Sequence, residues 1–183
     1  ATAGQLGAIG ALFNGTGATV ARQTSEGSNL GLWRVTSGAV SGDHANFLVS
    51  GVGGAQLVIP SFTFDLLVIC RFNTTTLVRH RVGLGNSLAA EPPADGCYIE
   101  ALSGETSWFG VCRAASVETR TAALIATDTS FHTFRIRRKD ASTISFSIDA
   151  VAEVDVTANI PTTGLSFGAY IEPAEAVAKS FDM

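Results

Sequence analysis

Lysine is almost missing from this sequence, and charge of either sign is thin. Two lysines and ten arginines stand against sixteen acids, for a net of −4. A mildly acidic chain lacks the positive field that holds a phosphate backbone, so no nucleic-acid partner is expected. Cysteine is also sparse. Cys70, Cys97 and Cys112 form no Cys-x-x-Cys pair, which argues against a zinc ribbon. All three lie in apolar runs and read as small buried hydrophobes of a protein folded in a reducing cytosol. A Cys97–Cys112 disulfide would require their strands to be neighbours. No stretch reaches the roughly 18 apolar residues of a membrane span, and no basic segment leading into an apolar one marks a signal peptide. Ala1 stands where an initiator methionine would, as initiator removal, processing or trimming would each leave it.

What the chain does have is apolar mass and glycine. Its 183 residues are 46% apolar and 15% charged, with 19 glycines, which suits one folded domain rather than a disordered segment. Residues 1–17, ATAGQLGAIGALFNGTG, read as an N-terminal extended arm or linker, with Leu6, Ile9, Leu12 and Phe13 as its partner-binding side chains. The remainder, 18–183, reads as a β-sandwich domain.

Turn residues divide that domain into short strand-like runs: 19–23, 30–38, 46–51, 56–60, 62–73, 77–85, 97–102, 107–114, 119–127, 131–139, 142–149, 150–161, 165–172 and 177–183. Segment 62–73, FTFDLLVICRFN, is apolar enough to be expected buried on both faces or nearly so. In 77–85, Val78, His80 and Val82 share one face, and Arg79 and Arg81 the other. Segment 86–96, with Pro92-Pro93 and Asp95-Gly96, is a loop by composition. Only 172–180 has helical composition, and Pro173 counts against it. Runs spaced roughly 8–12 residues apart, with no helix between them, predict an all-β, two-sheet antiparallel β-sandwich.

The stretch 131–153, FHTFRIRRKDASTISFSIDAVAE, alternates, breaks at a polar turn and alternates again. Period two places Phe134, Ile136, Ile144, Phe146 and Ile148 in the core, with His132 extending that row. Arg135 and Arg137 then point outward, and Arg138 and Lys139 fall at the turn. The arginine row is either a solvated face or a surface for a partner or anionic ligand.

The succession RVGLGNS (81–87), DGCYIEAL (95–102), SWFGVCRA (107–114), the hairpin through 131–161 and LSFGAYIEPAEAVAKSFDM (165–183) resembles the concanavalin A-like lectin/glucanase fold. The likeness is to the LamG-like jelly roll in the version found in bacteriophage virion proteins. It covers about residues 30–183. It implies a hairpin ending F-x-I-D, here Phe146 to Asp149, followed by glycine. Ala150 stands there instead, from which a different turn type or register is expected. The resemblance also implies a closing strand that carries an aspartate and runs on beyond it. Here the strand stops at Met183, a natural short form or a truncated one.

A catalytic set is weighed against the residues present. Laminarinase-like retaining enzymes carry E-x-D-x-x-E on a central strand. Glu153 and Asp155 fit its start, but position 158 is alanine and the strand lies near the end of the chain. A jelly-roll lyase would need a Gln-x-His strand, which is absent, and His80 reads as a packed strand residue. Asp43, His44 and Asn46, and Glu91 with Asp95, read as loop residues rather than metal ligands. The sequons at Asn14 and Asn73 carry no meaning in a bacterial or phage setting. Trp33, Trp108, Tyr98 and Tyr170 are the candidates for stacking on a glycan; for Trp108 the core or an interface is the favoured reading.

These readings, with the resemblance, imply a non-enzymatic bacteriophage virion protein, a capsid decoration or fibre/spike component, made in the host cytoplasm. Expected partners are other virion proteins of capsid or tail, and further copies of the chain in a homo-oligomer such as a trimer. The alternative is a carbohydrate-binding module or tail-fibre receptor-binding domain with a host glycan as partner. No cofactor, metal or membrane span is expected.

Overall fold

The computed structural model describes residues 4–6, 9–14, 17–23, 32–51, 62–87 and 92–183; for 4–6, 9–14, 50 and 51 the description is of the backbone path alone. Among the described residues every regular element is a strand. The first five are β1 (Gly4–Leu6), β2 (Ile9–Asn14), β3 (Thr19–Arg22), β4 (Trp33–Thr36) and β5 (Ala45–Gly51). The middle of the chain forms β6 (Phe64–Phe72), β7 (Val78–Gly85), β8 (Gly96–Ala101), β9 (Ser107–Ala114) and β10 (Val117–Ala126). The last five are β11 (His132–Arg138), β12 (Ile144–Ile148), β13 (Val154–Val156), β14 (Ser166–Pro173) and β15 (Ser180–Asp182).

They build two antiparallel sheets, an eight-stranded one in the order β1-β2-β5-β14-β7-β8-β9-β10 and a seven-stranded one in the order β13-β12-β11-β6-β15-β4-β3. The predicted two-sheet jelly roll is the fold observed. The backbone of β2 pairs with β5 from Ile9↔Gly51 to Asn14↔Asn46, so the segment read as an arm lies along the sheet. The side chains of Leu6, Ile9, Leu12 and Phe13 lie outside the described residues, as do all of 56–60 and Glu91.

The core sits between the sheets. Phe134, Ile136, Ile144, Phe146 and Ile148 are all buried there, as alternation predicted. Trp108 from the eight-stranded sheet meets Phe72 and Phe134 from the other, with ring centroids 5.4 and 5.1 Å apart. Phe146 needs room on the facing strand, and Gly110 provides it: a Cβ at 110 would stand 2.4 Å from that ring.

Several expectations are corrected. Segment 62–73 is not buried on both faces. Val68, Cys70 and Phe72 face the core, whereas Leu67 and Ile69 are 59% and 60% exposed. The strand expected over 150–161 shrinks to Val154–Val156, because Asn159 takes a positive φ and its amide turns to Thr119. Arg138 is not a turn residue in solvent. It is buried, and its guanidinium donates to the carbonyls of Asp140, Ala141 and Pro161.

The turn at Asp149-Ala150 keeps the geometry that glycine would favour. Both residues have positive φ, 52° and 60°, and Val151 N–H donates to the Ile148 carbonyl at 3.1 Å, a type I′ turn. Asp149 is held by function of its side chain: one carboxylate oxygen accepts from Thr133 N–H and the other meets His132 Nδ1. Ala150 gains nothing comparable from its Cβ, and the left-handed region costs it about 1–2 kcal/mol. The Ala150→Gly variant is therefore expected to be more stable by about 0.5–1 kcal/mol after the entropy lost by glycine is deducted. Urea unfolding at neutral pH reads this; a lower midpoint in the glycine variant would contradict it.

Candidate functional site

Two outward faces carry polar chemistry. On the eight-stranded sheet, the residues opposite the core positions bring together Arg81, Tyr98, Glu100 and Tyr170, all buried. Arg81 Nη2 donates to Glu100 at 3.2 Å, and its guanidinium lies 4.8 and 5.4 Å from the Tyr98 and Tyr170 ring centroids. Burial pushes Glu100 above the usual carboxylate range, against the pull of Arg81 and Arg120. Arg120 is shared with Glu105, which accepts from it at 2.8 and 2.9 Å. This cluster is sealed. With Tyr98 without exposure, its ring is no platform for a sugar.

The seven-stranded sheet presents the accessible face. Residues 65, 67, 69 and 71 of β6 all point outward by parity. At one end, Asp182 of β15 accepts from Arg34 Nε and Nη2 at 2.7 and 2.8 Å and from Arg71 Nε at 2.9 Å. Burial alone would raise the Asp182 carboxyl, but the two guanidinium groups hold it below its usual range. At the other end Asp65 pairs with Arg135 at 2.6–2.9 Å, and that bond lowers its pKa. Arg135, Arg137 and Lys139 then converge on Glu153, at 3.3, 2.7 and 3.1 Å. Lys139 also holds Asp155 at 2.7 Å. An open depression of about 530 Å³ lies beside this ladder, lined by Thr63, Phe64, Asp65, Arg137, Arg138 and Lys139. Between the two charged ends sit Leu67 and Ile69, with their side chains in solvent.

The residues named from sequence do not converge. Arg135 and Arg137 lie on the outer face of the seven-stranded sheet, engaged with acids. Trp33 is 47% exposed at the end of β4, beside the chain's last residue. Trp108 is wholly buried, as are Tyr98 and Tyr170, so the structure withdraws all three as glycan contacts. His80 packs on Phe72 and Trp108, with centroids 4.2 and 5.4 Å away. Asp43 accepts from Val40 N–H and His44 stacks on Tyr170. Glu153 and Asp155 share a face, as their spacing required, but at the sheet's edge and matched by cations. Sequence reading missed Leu67, Ile69 and the Arg34–Asp182–Arg71 group. The signal was present: Asp65 and Arg71 share parity with Leu67 and Ile69, which marks a face turned away from the core.

A profile described as "SO2946-like, C-terminal domain" matches residues 28–183. The chain belongs to this SO2946-like family. Among curated proteins no sequence match is found. SO2946 from Shewanella oneidensis MR-1, a protein of unknown function, shares the fold at 15% identity and a TM-score of 0.68, covering 96% of this chain and 75% of that one. The carbohydrate recognition domain of Emp46p, in its potassium-bound form, is similar at 10% identity and a TM-score of 0.58, covering 91% and 85%. A carbohydrate esterase from the Shiga toxin-encoding bacteriophage phi24B is similar at 11% identity and a TM-score of 0.52, covering 94% and 89%. These likenesses establish the concanavalin A-like sandwich for this SO2946-like domain. Among its described residues, no helix is long and apolar enough to cross a membrane.

Proposed function

We propose that this chain is a non-enzymatic attachment domain of a bacteriophage particle, a capsid decoration or fibre component that docks onto another virion protein through the outer face of its seven-stranded sheet. The observation that carries the reading is the pair Leu67 and Ile69, 59% and 60% exposed in the middle of a central strand. Apolar side chains at the centre of a patch, with ion pairs at its rim, have the anatomy of a protein interface. The likeness to a phage protein supports the particle setting through fold alone. The non-enzymatic reading is supported by the carboxylates of this face, which are engaged by arginine and lysine rather than set on either side of an open cleft.

The test is binding to particles. In a sedimentation assay with particles from the source, the Leu67→Lys/Ile69→Lys double variant is expected to lose at least about ten-fold in affinity, since two apolar side chains of this size contribute several kcal/mol when buried. Equal binding by the variant would remove this face from the interface. Antibody to the chain that labels no particle would remove the virion reading itself.

A second reading, a carbohydrate-binding or receptor-binding module, rests on the exposure of Trp33. It requires Trp33 emission to shift when a host glycan is added, with the buried Trp108 silent.

A further inference from the structure

Cys97 and Cys112 are directly opposite one another in the register of β8 and β9. Both belong to the core-facing row, both are buried, and both are free thiols. Whether such a pair can be bridged depends on which kind of antiparallel site it occupies, and the backbone bonds around it decide that. The Asp95 carbonyl accepts from Asn86 N–H, toward β7, at 3.0 Å, and the Ala94 carbonyl accepts from Ser116 N–H, toward β9, at 2.8 Å. Successive residues of a strand turn their backbone groups to alternate sides. The register runs without a break through Gly96 on both sides of β8. Odd-numbered residues of β8 therefore bond to β7 and even-numbered ones to β9. On β9, Gly110 N–H points the other way, to Thr121 Oγ1 on β10, as the same parity requires. Cys97 and Cys112 thus form a non-hydrogen-bonded pair, the type in which Cα atoms come to about 4.5 Å and side chains are closest. That separation falls in the range a disulfide spans, about 4.4–6.8 Å.

We propose that Cys97 and Cys112 are a covalent modification site, a cross-strand disulfide that is latent in the reduced protein and is installed by thiol–disulfide exchange when the chain folds in the presence of a small disulfide oxidant. In the exchange one thiolate attacks the oxidant's disulfide and expels a thiol. The second cysteine then attacks the mixed disulfide, forms the Cys97–Cys112 bond and expels a second thiol. Two protein thiols are oxidised and one oxidant disulfide is reduced to two thiols, with both protons accounted for. Once folded, the pair is guarded. Burial pushes the Cys97 thiol up to about 12 and raises Cys112 as well, with Cys97 adding to that rise. Few thiolates form, and no oxidant reaches them without opening of the sheet. Cys70 lies on β6, in the opposite sheet, and has no place in the bridge.

The experiment is oxidative refolding of the full chain with oxidised glutathione, read by thiol titration and peptide mass. Of the three thiols, one, Cys70, is expected to remain. No arginine or lysine lies between Arg81 and Arg113, so trypsin leaves both cysteines on one peptide, lighter by two hydrogens. Cleavage at Glu100 or Glu105 leaves its halves joined until a reductant is added. The bridged protein is expected to unfold at higher urea than the reduced one, and Cys97→Ser refolded in the same way keeps its two remaining thiols. Three surviving thiols, stable glutathione adducts, or a bridge to Cys70 would each overturn the proposal. Should the fully denatured chain fail to refold, prolonged exposure of partly destabilised protein to diamide serves instead. The diamide is applied in urea just below the unfolding midpoint, where the sheet opens transiently; the same peptide bridge is then expected, and its absence under those conditions overturns the proposal.

Discussion

Between pH 6.5 and pH 4.5 a single histidine, His80, is expected to withdraw about 1.4 kcal/mol of stability for each pH unit. His80 is buried against Phe72 and Trp108, and beyond a weak approach to the Thr74 backbone neither ring nitrogen has a hydrogen-bond partner. Burial lowers its pKa from 6.5 to about 3, the Thr74 backbone partly opposing and Lys179 reinforcing the shift. The sign follows from which state holds the proton. Below pH 6.5 the unfolded chain protonates this imidazole and the folded chain does not, so acid favours unfolding until the folded group also titrates near pH 3. By pH 4.5 the loss reaches about 3 kcal/mol, a large share of the 5–15 kcal/mol that holds a typical domain together. The carboxylates with lowered pKa, Asp65, Asp155 and Asp182 among them, act mainly as pH falls through their ordinary value of 3.8 and contribute little above pH 4.5. The upper window belongs to His80 and, with the opposite sign, to Glu100. The raised pKa of Glu100 lets the folded chain take up a proton first and returns some stability as pH falls; comparison with His80→Leu separates the two. Urea unfolding at several pH values, compared with His80→Leu, reads the effect. The variant gives up only the weak Thr74 contact, and its curve is expected to flatten across that window while stability at pH 7.5 changes by less than about 1 kcal/mol. Parallel slopes in the two proteins would falsify the assignment.

That histidine shows how much was legible beforehand. Alternation placed Val78, His80 and Val82 on one face, and all three are buried. It also set the hairpin 131–149 and its five core residues, because each strand there has one clean apolar row. It failed on 62–73, where apolar residues occupy both rows and pattern alone cannot separate a doubly buried strand from one with an exposed apolar patch. Only the polar ends of that row, Asp65 and Arg71, distinguish the two. Nothing local could show that Asp182, near the chain end, lies between arginines at 34 and 71. Such long-range groupings come from sheet order, which the turn residues do not encode. Ala150 misled for a different reason. The preference for glycine in a type I′ turn is a cost of order 1 kcal/mol, and Asp149's bonds to Thr133 and His132 are enough to hold the turn without it.

Asp182→Asn is expected to cost about 3 kcal/mol or more, although the two side chains have the same shape. The carboxylate has no exposure and accepts from both guanidinium groups, two bonds from Arg34 and at least one from Arg71. An amide keeps one acceptor and turns an N–H₂ donor toward groups that can only donate. Removing one partner of a buried ion pair typically costs about 3–5 kcal/mol. Arg34 and Arg71 are 33% and 19% exposed at the side chain, so water recovers part of the loss and the lower end applies. The damage should begin locally. β15 has three residues and is the only strand, among those described, that joins β4 to β6. Trp33 exchanges backbone bonds with Met183 at 2.9 and 3.0 Å at the end of that strand. Loosening of β15 should therefore appear in Trp33 emission at lower urea than the unfolding of the core seen through Trp108. Single-tryptophan versions, Trp33→Phe and Trp108→Phe, separate the two signals. A loss under about 1 kcal/mol would place Asp182 with ordinary surface ion pairs. A full loss with coincident transitions would mean that β15 is not a separate weak point but part of the cooperative core.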